Sequence, residues 1–226
     1  MANQGKGDDL KGKMSSSAEL TPNANQKIVQ YLNDALAMEN ASEERIRLRL
    51  QGTIVDDIKK QLQQHLVETQ SQKDRLKQIV TSHGGKHTDA KATLPFLKPN
   101  TLDVVRDESL ASSNPSGQEI GSPSSPEDAS IKSIVKETDN IRLAAEKELI
   151  ETEQDAIIEN AEIVKYRFLR EIAKKIGAMD AVLVIDQNLK EEEQMANWIT
   201  ANTSNMLRQL WAQIEVSAGA RTAAEA

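Results

Sequence analysis

Along four stretches of this chain apolar residues return at gaps of three and four, the spacing that gathers side chains on one side of an α-helix. The first stretch opens at Thr21-Pro22, a threonine cap with proline in the first turn. Its seam runs through Ile28, Leu32, Ala35, Glu39, Ser42, Ile46 and Arg49 or Leu50. Gly52 ends this helix and Thr53 caps the next, a connection so short that the two are expected to be antiparallel neighbours. The second helix is predicted from about Ile54 to Ser82, with Ile58, Leu62, Leu66, Thr69, Leu76 and Ile79 on its apolar side. His65, Glu68 and Gln72 form a polar strip beside that face, and His83-Gly84-Gly85 closes the helix.

The pattern lapses between residues 83 and 126, where five of the six prolines fall and the stretch SSNPSGQEIGSPSSPEDAS reads as a linker, with one apolar contact offered by Leu94, Phe96 and Leu97. A short helical piece is expected from Ser125-Pro126 to Val135, then a long helix from about Leu143 to Ile176, capped by Gly177. Glu159, Glu162 and Tyr166 are read on one side of it with Ile163 beside them, and Ile157, Ala161, Val164 and Phe168 as continuing that buried stripe. The last helix begins near Asp180 with the most regular seam of all: Val182, Ile185, Leu189, Glu192, Ala196, Ile199, Thr203, Met206 and Leu210. It is expected to run through Trp211 and Ile214, the extension packing within the subunit or across a dimer. The prediction is an all-α antiparallel four-helix bundle, its alternating spacing giving left-handed packing, with a long crossover between helices 2 and 3. Its parts are a disordered N-terminal tail (1–21), the first helical pair (22–82), a disordered Pro/Ser-rich crossover (83–126), a short helix with the second pair (127–214), and a disordered tail (215–226).

Composition agrees with a small aliphatic core: 38% hydrophobic residues but only 3% aromatic. A net charge of -7 argues against a nucleic-acid partner and leaves cation binding open. The absence of cysteine removes disulfides, thiolate metal sites and cysteine nucleophiles. No window approaches the roughly 18 to 20 apolar residues of a membrane span, and the N-terminus has no signal-peptide pattern, so the expectation is a cytoplasmic protein with no membrane partner. No glycine-rich phosphate loop occurs, which disfavours a nucleotide-dependent enzyme.

The chemistry lies where the pattern is interrupted. Glu39, Glu68, Glu159 and Glu192 bring one carboxylate from each helix to or beside the buried face, with Glu162 and His65 close by. An ionised group taken from water without a partner costs several kcal/mol, so such residues need a reason. Dinuclear sites in helix bundles supply it: two hard divalent cations need several oxygen donors and offset the repulsion among them. The usual Glu-x-x-His is missing, since Ser71 follows Glu68 and Met195 follows Glu192 at the third position. The same glutamates can also be flank residues paired with Arg45, Arg75 and Lys165. His83 and His87 read as solvated loop residues, Tyr31 and Tyr166 as core-edge residues, and Trp198 and Trp211 as core or subunit contacts.

HLVET (His65 to Thr69) followed by Arg75-Leu76, EN-AEI-Y (Glu159 to Tyr166), and Leu189 with Glu191-Glu192 give the chain a resemblance to the YciE/YciF-type family of ferritin-like proteins, over roughly residues 24–82 and 128–202. The resemblance implies a ferritin-like bundle that tends to dimerise, is associated with stress responses and carries a dinuclear metal site. By position it maps ligands onto Glu39, Glu68, Glu159, Glu162 and Glu192. The chain departs from the family pattern at Asn160 and Gln72, where histidine is common, and at Ala196, where aspartate is usual.

The function expected is therefore a dinuclear iron or manganese centre held by Glu39, Glu68, Glu159, Glu162, Glu192 and His65, serving reactive-oxygen or iron handling in stress. No separate catalytic acid or base is evident, so whether the centre is ferroxidase-like or peroxide-handling stays open. The expected partners are metal ions, a second copy in a homodimer, and a protein engaged by the 83–126 linker. The alternative is a metal-free helical scaffold or interaction protein of the same fold, with its carboxylates hydrogen-bonded or partly solvated.

Overall fold

The computed structural model describes residues 22–95 and 126–224. Four helices make up nearly all of it: α1 Pro22–Gly52, α2 Asp56–Ser82, α3 Pro126–Ile176 and α4 Met179–Ala224. The tail expected at 1–21, and Phe96 and Leu97 with the rest of the crossover to 125, lie outside the described residues.

Each helix packs on two others, α1 on α2, α2 on α4, α4 on α3 and α3 on α1, which closes a four-sided bundle. Cross-helix pairs fix the directions. Tyr166 bonds Glu39 while Arg49 bonds Glu148 further along, so α1 and α3 are antiparallel. Gln72 with Glu192 and His83 with Asp180 make α2 and α4 antiparallel as well. The turns are those the sequence proposes. Gly84 and Gly177 adopt φ of 72° and 84°, the left-handed region where a Cβ is strained, and each follows a helix C-terminus.

The antiparallel arrangement explains the long crossover. α2 ends at the end of the bundle where α1 begins, whereas α3 must begin at the other, so the connecting chain has to travel the bundle's length. Residues 86–95 start that descent as an extended strap along α1. Asn33 Nδ2 donates to Lys86 O (3.0 Å), Asn40 Nδ2 to Ala90 O (2.9 Å), and Ala92 N to Ala37 O (2.8 Å). Leu94 is then buried against Ala41 and Ile158.

Four expectations are corrected. α3 is one helix from Pro126 to Ile176 rather than a short piece followed by a second helix, because no glycine or proline interrupts it after Pro126. α4 is helical to Ala224, past the expected end near Ile214, through an alanine-rich stretch favourable to helix. Thr53 does not cap α2: Val55 holds the N-cap position without a side-chain bond, and Thr53 Oγ1 donates to Glu148 instead, 2.9 Å away. On α3 Glu159, Glu162, Ile163 and Tyr166 are buried as read, but Ile158 and Leu169 continue their stripe, whereas Val164 and Phe168 are exposed. Both stripes satisfy three-four spacing, so periodicity alone does not choose between them.

The core is in two parts. Near the α3–α4 turn, Ile28, Leu32, Leu36, Leu76, Leu169 and Ile185 lead one apolar cluster. Near the α1–α2 turn, Ile46, Ile58, Leu62, Met195, Ile199 and Leu210 lead another. Each fully buried aliphatic side chain contributes about 1.5–3 kcal/mol by its removal from water, and Leu32→Ala is expected to cost about 2–5 kcal/mol. No described helix is long and apolar enough to cross a membrane.

Candidate metal centre

Between the two apolar clusters the inward faces of all four helices turn polar. α1 supplies Glu39 and Ser42, α2 His65, Thr69 and Gln72, α3 Glu159 and Glu162, and α4 Asn188 and Glu192, all buried. The residues within each helix stand three, four or seven apart, so they occupy the same stripe as the apolar residues above and below. The packing that buries the core therefore buries them too.

His65 is the centre of this layer. Its Nε2 lies 3.2 Å from Glu159 Oε1 and 3.7 Å from Glu192 Oε2, and its Nδ1 lies 3.5 Å from Glu68 Oε2. His65, Glu159 and Glu192 each offer one ligand atom, all within 4.8 Å of one another. Neutral donors hold the other carboxylates. Ser42 Oγ donates to Glu162 Oε1 at 2.5 Å, Gln72 Nε2 to Glu192 Oε1 at 2.5 Å, and Tyr166 OH to Glu39. Asn188 Nδ2 donates in turn to Tyr166 OH (2.9 Å), and Arg75 Nε to Asn188 Oδ1 (2.8 Å). That chain of hydrogen bonds touches all four helices. Among the described residues, three buried side-chain oxygens accept no hydrogen bond: Glu159 Oε2, Glu192 Oε2 and Gln72 Oε1.

The electrostatics follow from crowding acids in a dry layer. Burial, reinforced by Glu159 and opposed by the Tyr166 hydroxyl and His65, raises the Glu39 carboxyl to about 7. Burial and then the neighbouring carboxylates push Glu162 and Glu192 well above the usual range. Burial lowers the affinity of His65 for its second proton, but Glu159, Glu68 and Glu192 more than reverse that and hold its pKa well above the ordinary value. Protons on these groups do what a cation would do: they separate like charges.

Of the six residues expected at the site, the structure brings five into this layer: Glu39, Glu159, Glu162, Glu192 and His65. Glu68 stands at its edge with a side chain 22% exposed, held by Gln64 Nε2 at 2.9 Å and facing His65 Nδ1. The cations offered by the sequence go elsewhere. Arg45 pairs with Glu151 and Asp155, Arg75 with Glu191, and Lys165 with Asp34. Sequence reasoning missed Asn188, and placed Ser42 in a seam and Gln72 in a strip without a partner. Asn188 stands three after Ile185 and four before Glu192, a signal that it shares their face. Tyr166 is fully buried rather than at the core edge. His83 also departs from expectation: its side chain is only 9% exposed and its Nε2 lies 3.1 Å from Asp180 Oδ2. Asn25 holds its other nitrogen at 2.7 Å, so His83 joins the ends of three helices.

A second buried polar group lies at the α1–α2 end. Arg49 Nε bonds Asp155 Oδ2 (2.7 Å) and its Nη2 bonds Glu148 Oε1 (2.9 Å), while Glu148 Oε2 accepts from Ile54 N (3.0 Å). The carboxylates of this network share arginines, whereas in the layer around His65 the carboxylates outnumber the one imidazole.

Comparison with known proteins matches residues 23–94 and 117–212 to a family described as a domain of unknown function, DUF892. No curated protein matches the chain. The fold is similar to that in a crystal structure of a protein from Xanthomonas campestris pv. campestris str. ATCC 33913, with a TM-score of 0.53, 18% identity, and coverage of 85% of this chain and 99% of that one. At that identity the likeness bears on the fold alone.

Proposed function

This chain belongs to the YciE/YciF-type family, DUF892, and we propose that it is a ferritin-like protein whose buried polar layer holds a dinuclear iron or manganese centre. The observation that carries the reading is the pair of buried oxygens that accept no hydrogen bond, Glu159 Oε2 and Glu192 Oε2, beside the His65 imidazole. Leaving such groups without a partner costs about 1–3 kcal/mol each, more when charged, and a divalent cation would satisfy them together. His65, Glu159 and Glu192 would hold one ion, and Glu39 and Glu162 would complete a set of four carboxylates and one imidazole, donors suited to iron or manganese.

Such a centre would supply electron transfer with a small oxidant, which fits a role in iron or reactive-oxygen handling under stress. The chain's own residues orient the donors. Glu68, whose carboxyl the facing His65 keeps below its usual range, accepts from Nδ1 and leaves Nε2 to face Glu159 and Glu192. Ser42, Gln72 and Tyr166 fix one oxygen each of Glu162, Glu192 and Glu39. The two apolar clusters keep water from the layer. The reading includes a homodimer, for which Phe168 and Leu183, 69% and 74% exposed, offer apolar surface. It also keeps the expected protein partner of the 83–126 linker.

A metal-free scaffold is the second reading, favoured by the neutral hydrogen bonds that already reach three of the carboxylates. Metal content separates the two. Protein purified without chelators and reconstituted anaerobically with Fe(II) or Mn(II) is expected to carry about two ions per chain, lost in the Glu159→Ala, Glu192→Ala double variant. No metal in either protein, with the variant equally or more stable, sinks the dinuclear reading.

A further inference from the structure

α3 carries an acidic series of which the proposed centre uses only the last member. Glu148, Glu151, Asp155 and Glu159 follow one another at gaps of three, four and four, so they climb one face of the helix from the α1–α2 end to the buried layer. At the bottom, Glu148 and Glu151 line an open cleft of about 260 Å³ with Arg49 and Lys147. At the top, Ser42, Arg45, Leu62, Asp155, Ile158 and Glu159 line a small, partly open cavity of about 10 Å³. That is room for one water-sized species. Glu159, whose Oε2 accepts no hydrogen bond, forms part of its wall. The other wall residues are sealed from solvent except Arg45 and Asp155, whose side chains are 13% and 9% exposed. Arg45 links the two sets of residues, its Nη2 bonding Glu151 of the cleft at Oε2 (2.9 Å) and at the backbone O (3.2 Å), and Asp155 Oδ1 of the cavity at 2.8 Å, its Nε also reaching Asp155 at 3.1 Å.

We propose that divalent cations reach the buried centre along this carboxylate series, passing through the small cavity to Glu159, and that the Arg45 side chain is the gate. This rests on the metal-binding reading above. The chemistry of the route is that of its cargo. An arriving cation exchanges its hydration shell for carboxylate oxygens in steps, and the guanidinium stands in for it until then, which keeps Asp155 and Glu151 from repelling each other. Arg45 suits the part because its side chain, 13% exposed, borders water where it joins the two rim carboxylates. Arg49, by contrast, is buried and pinned between Asp155 and Glu148.

The test is the rate of metal uptake by the full chain, followed by stopped-flow absorbance with Co(II) alone as the probe. Arg45→Ala is expected to load about tenfold faster than the parent, the factor that about 1.4 kcal/mol off a barrier gives. It is expected to release Co(II) to a chelator faster by a similar factor, with the final number of ions per chain unchanged. Arg167→Ala removes one positive charge from a surface pair with Glu193 away from the route, and is expected to load like the parent. Where Arg45→Ala loses helix content by circular dichroism, Arg45→Lys, which keeps the charge but holds the rim at one point, is expected to load faster by a smaller factor. Equal uptake rates in the parent and the folded Arg45 variant, at full occupancy, overturn the route while leaving the centre standing. Acceleration in Arg167→Ala as large as in Arg45→Ala reduces the effect to net charge and overturns it too. No Co(II) bound by the parent removes the centre, and the route with it.

Discussion

Raising the pH of metal-free protein is expected to weaken it, the reverse of what surface carboxylates do. Glu39 is raised from 4.5 to about 7 by its burial. Between those values the folded state holds a proton that the unfolded state has released, so stability is fully present below the unfolded value and is lost as pH rises through the folded one. Each tenfold change in proton affinity is worth about 1.4 kcal/mol, so Glu39 alone removes roughly 3 kcal/mol across that window. Glu162, Glu192 and Asp155, also raised by burial, act in the same direction, and so does His65, held above its ordinary value against burial by Glu159. Against a total stability of about 5–15 kcal/mol this is a large share. Urea midpoints at pH 5, 6, 7 and 8 after exhaustive chelation measure it, and a falling midpoint is expected. Glu39→Gln keeps a side chain that Tyr166 can bond and removes the charge, so it is expected to flatten part of the slope and to exceed the parent at pH 8. Adding Mn(II) is expected to restore the parent at high pH, because metal requires the deprotonated ligands and stabilises the state that binds it. A midpoint that is level or climbs from pH 5 to 8, or a Glu39→Gln slope equal to the parent's, refutes the reasoning.

Arg49→Met leaves Asp155 and Glu148 buried without their shared cation and is expected to cost about 3–5 kcal/mol in urea unfolding. A triple replacement that also makes Asp155 and Glu148 apolar is expected to recover most of that loss. Gly85→Ala sets a Cβ 2.4 Å from Val29 Cγ1, so it is expected to destabilise by about 1–3 kcal/mol, and Val29→Ala is expected to relieve it in a double-mutant cycle. Gln72→His places an imidazole beside Glu192, and with a second nitrogen in the layer the chain is expected to retain Mn(II) about tenfold more tightly against a competing chelator.

How much of this was legible in the sequence depended on whether one helix could answer the question alone. The α1 seam holds as read, with Glu39, Ser42 and Arg49 all buried, and in α4 every seam position but Thr203 is buried. Each of those helices has a single stripe of three-four spacing, so its rotation has one solution. α3 has two, and the one with Val164 and Phe168 is the more apolar, yet it faces water. What turns α3 the other way is the set of partners on other helices: Arg49 for Asp155, Ser42 for Glu162, Asn188 for Tyr166. Those pairs are separated by 22 to 120 residues, beyond any local pattern. The same limit explains the site. A glutamate in a seam announces that a carboxylate is buried, but only the packed bundle shows that Arg45, Arg75 and Lys165 are engaged elsewhere, and that His65 lies between Glu159 and Glu192.

The division of the core has a consequence for how such a protein can change over time. Because each end of the bundle has its own apolar cluster, the order and direction of the helices are held from the ends, while the polar side chains of the middle help set how α3 is turned. A substitution there alters chemistry at a cost that the ends can absorb, whereas the same substitution in a single continuous core would threaten folding outright. Gln72 is a position of that kind: as glutamine it donates to Glu192, whereas an imidazole in its place would offer a ligand atom. The bundle is in that sense a frame with an exchangeable middle storey. A lineage could change the chemistry of that storey without having to find a new fold.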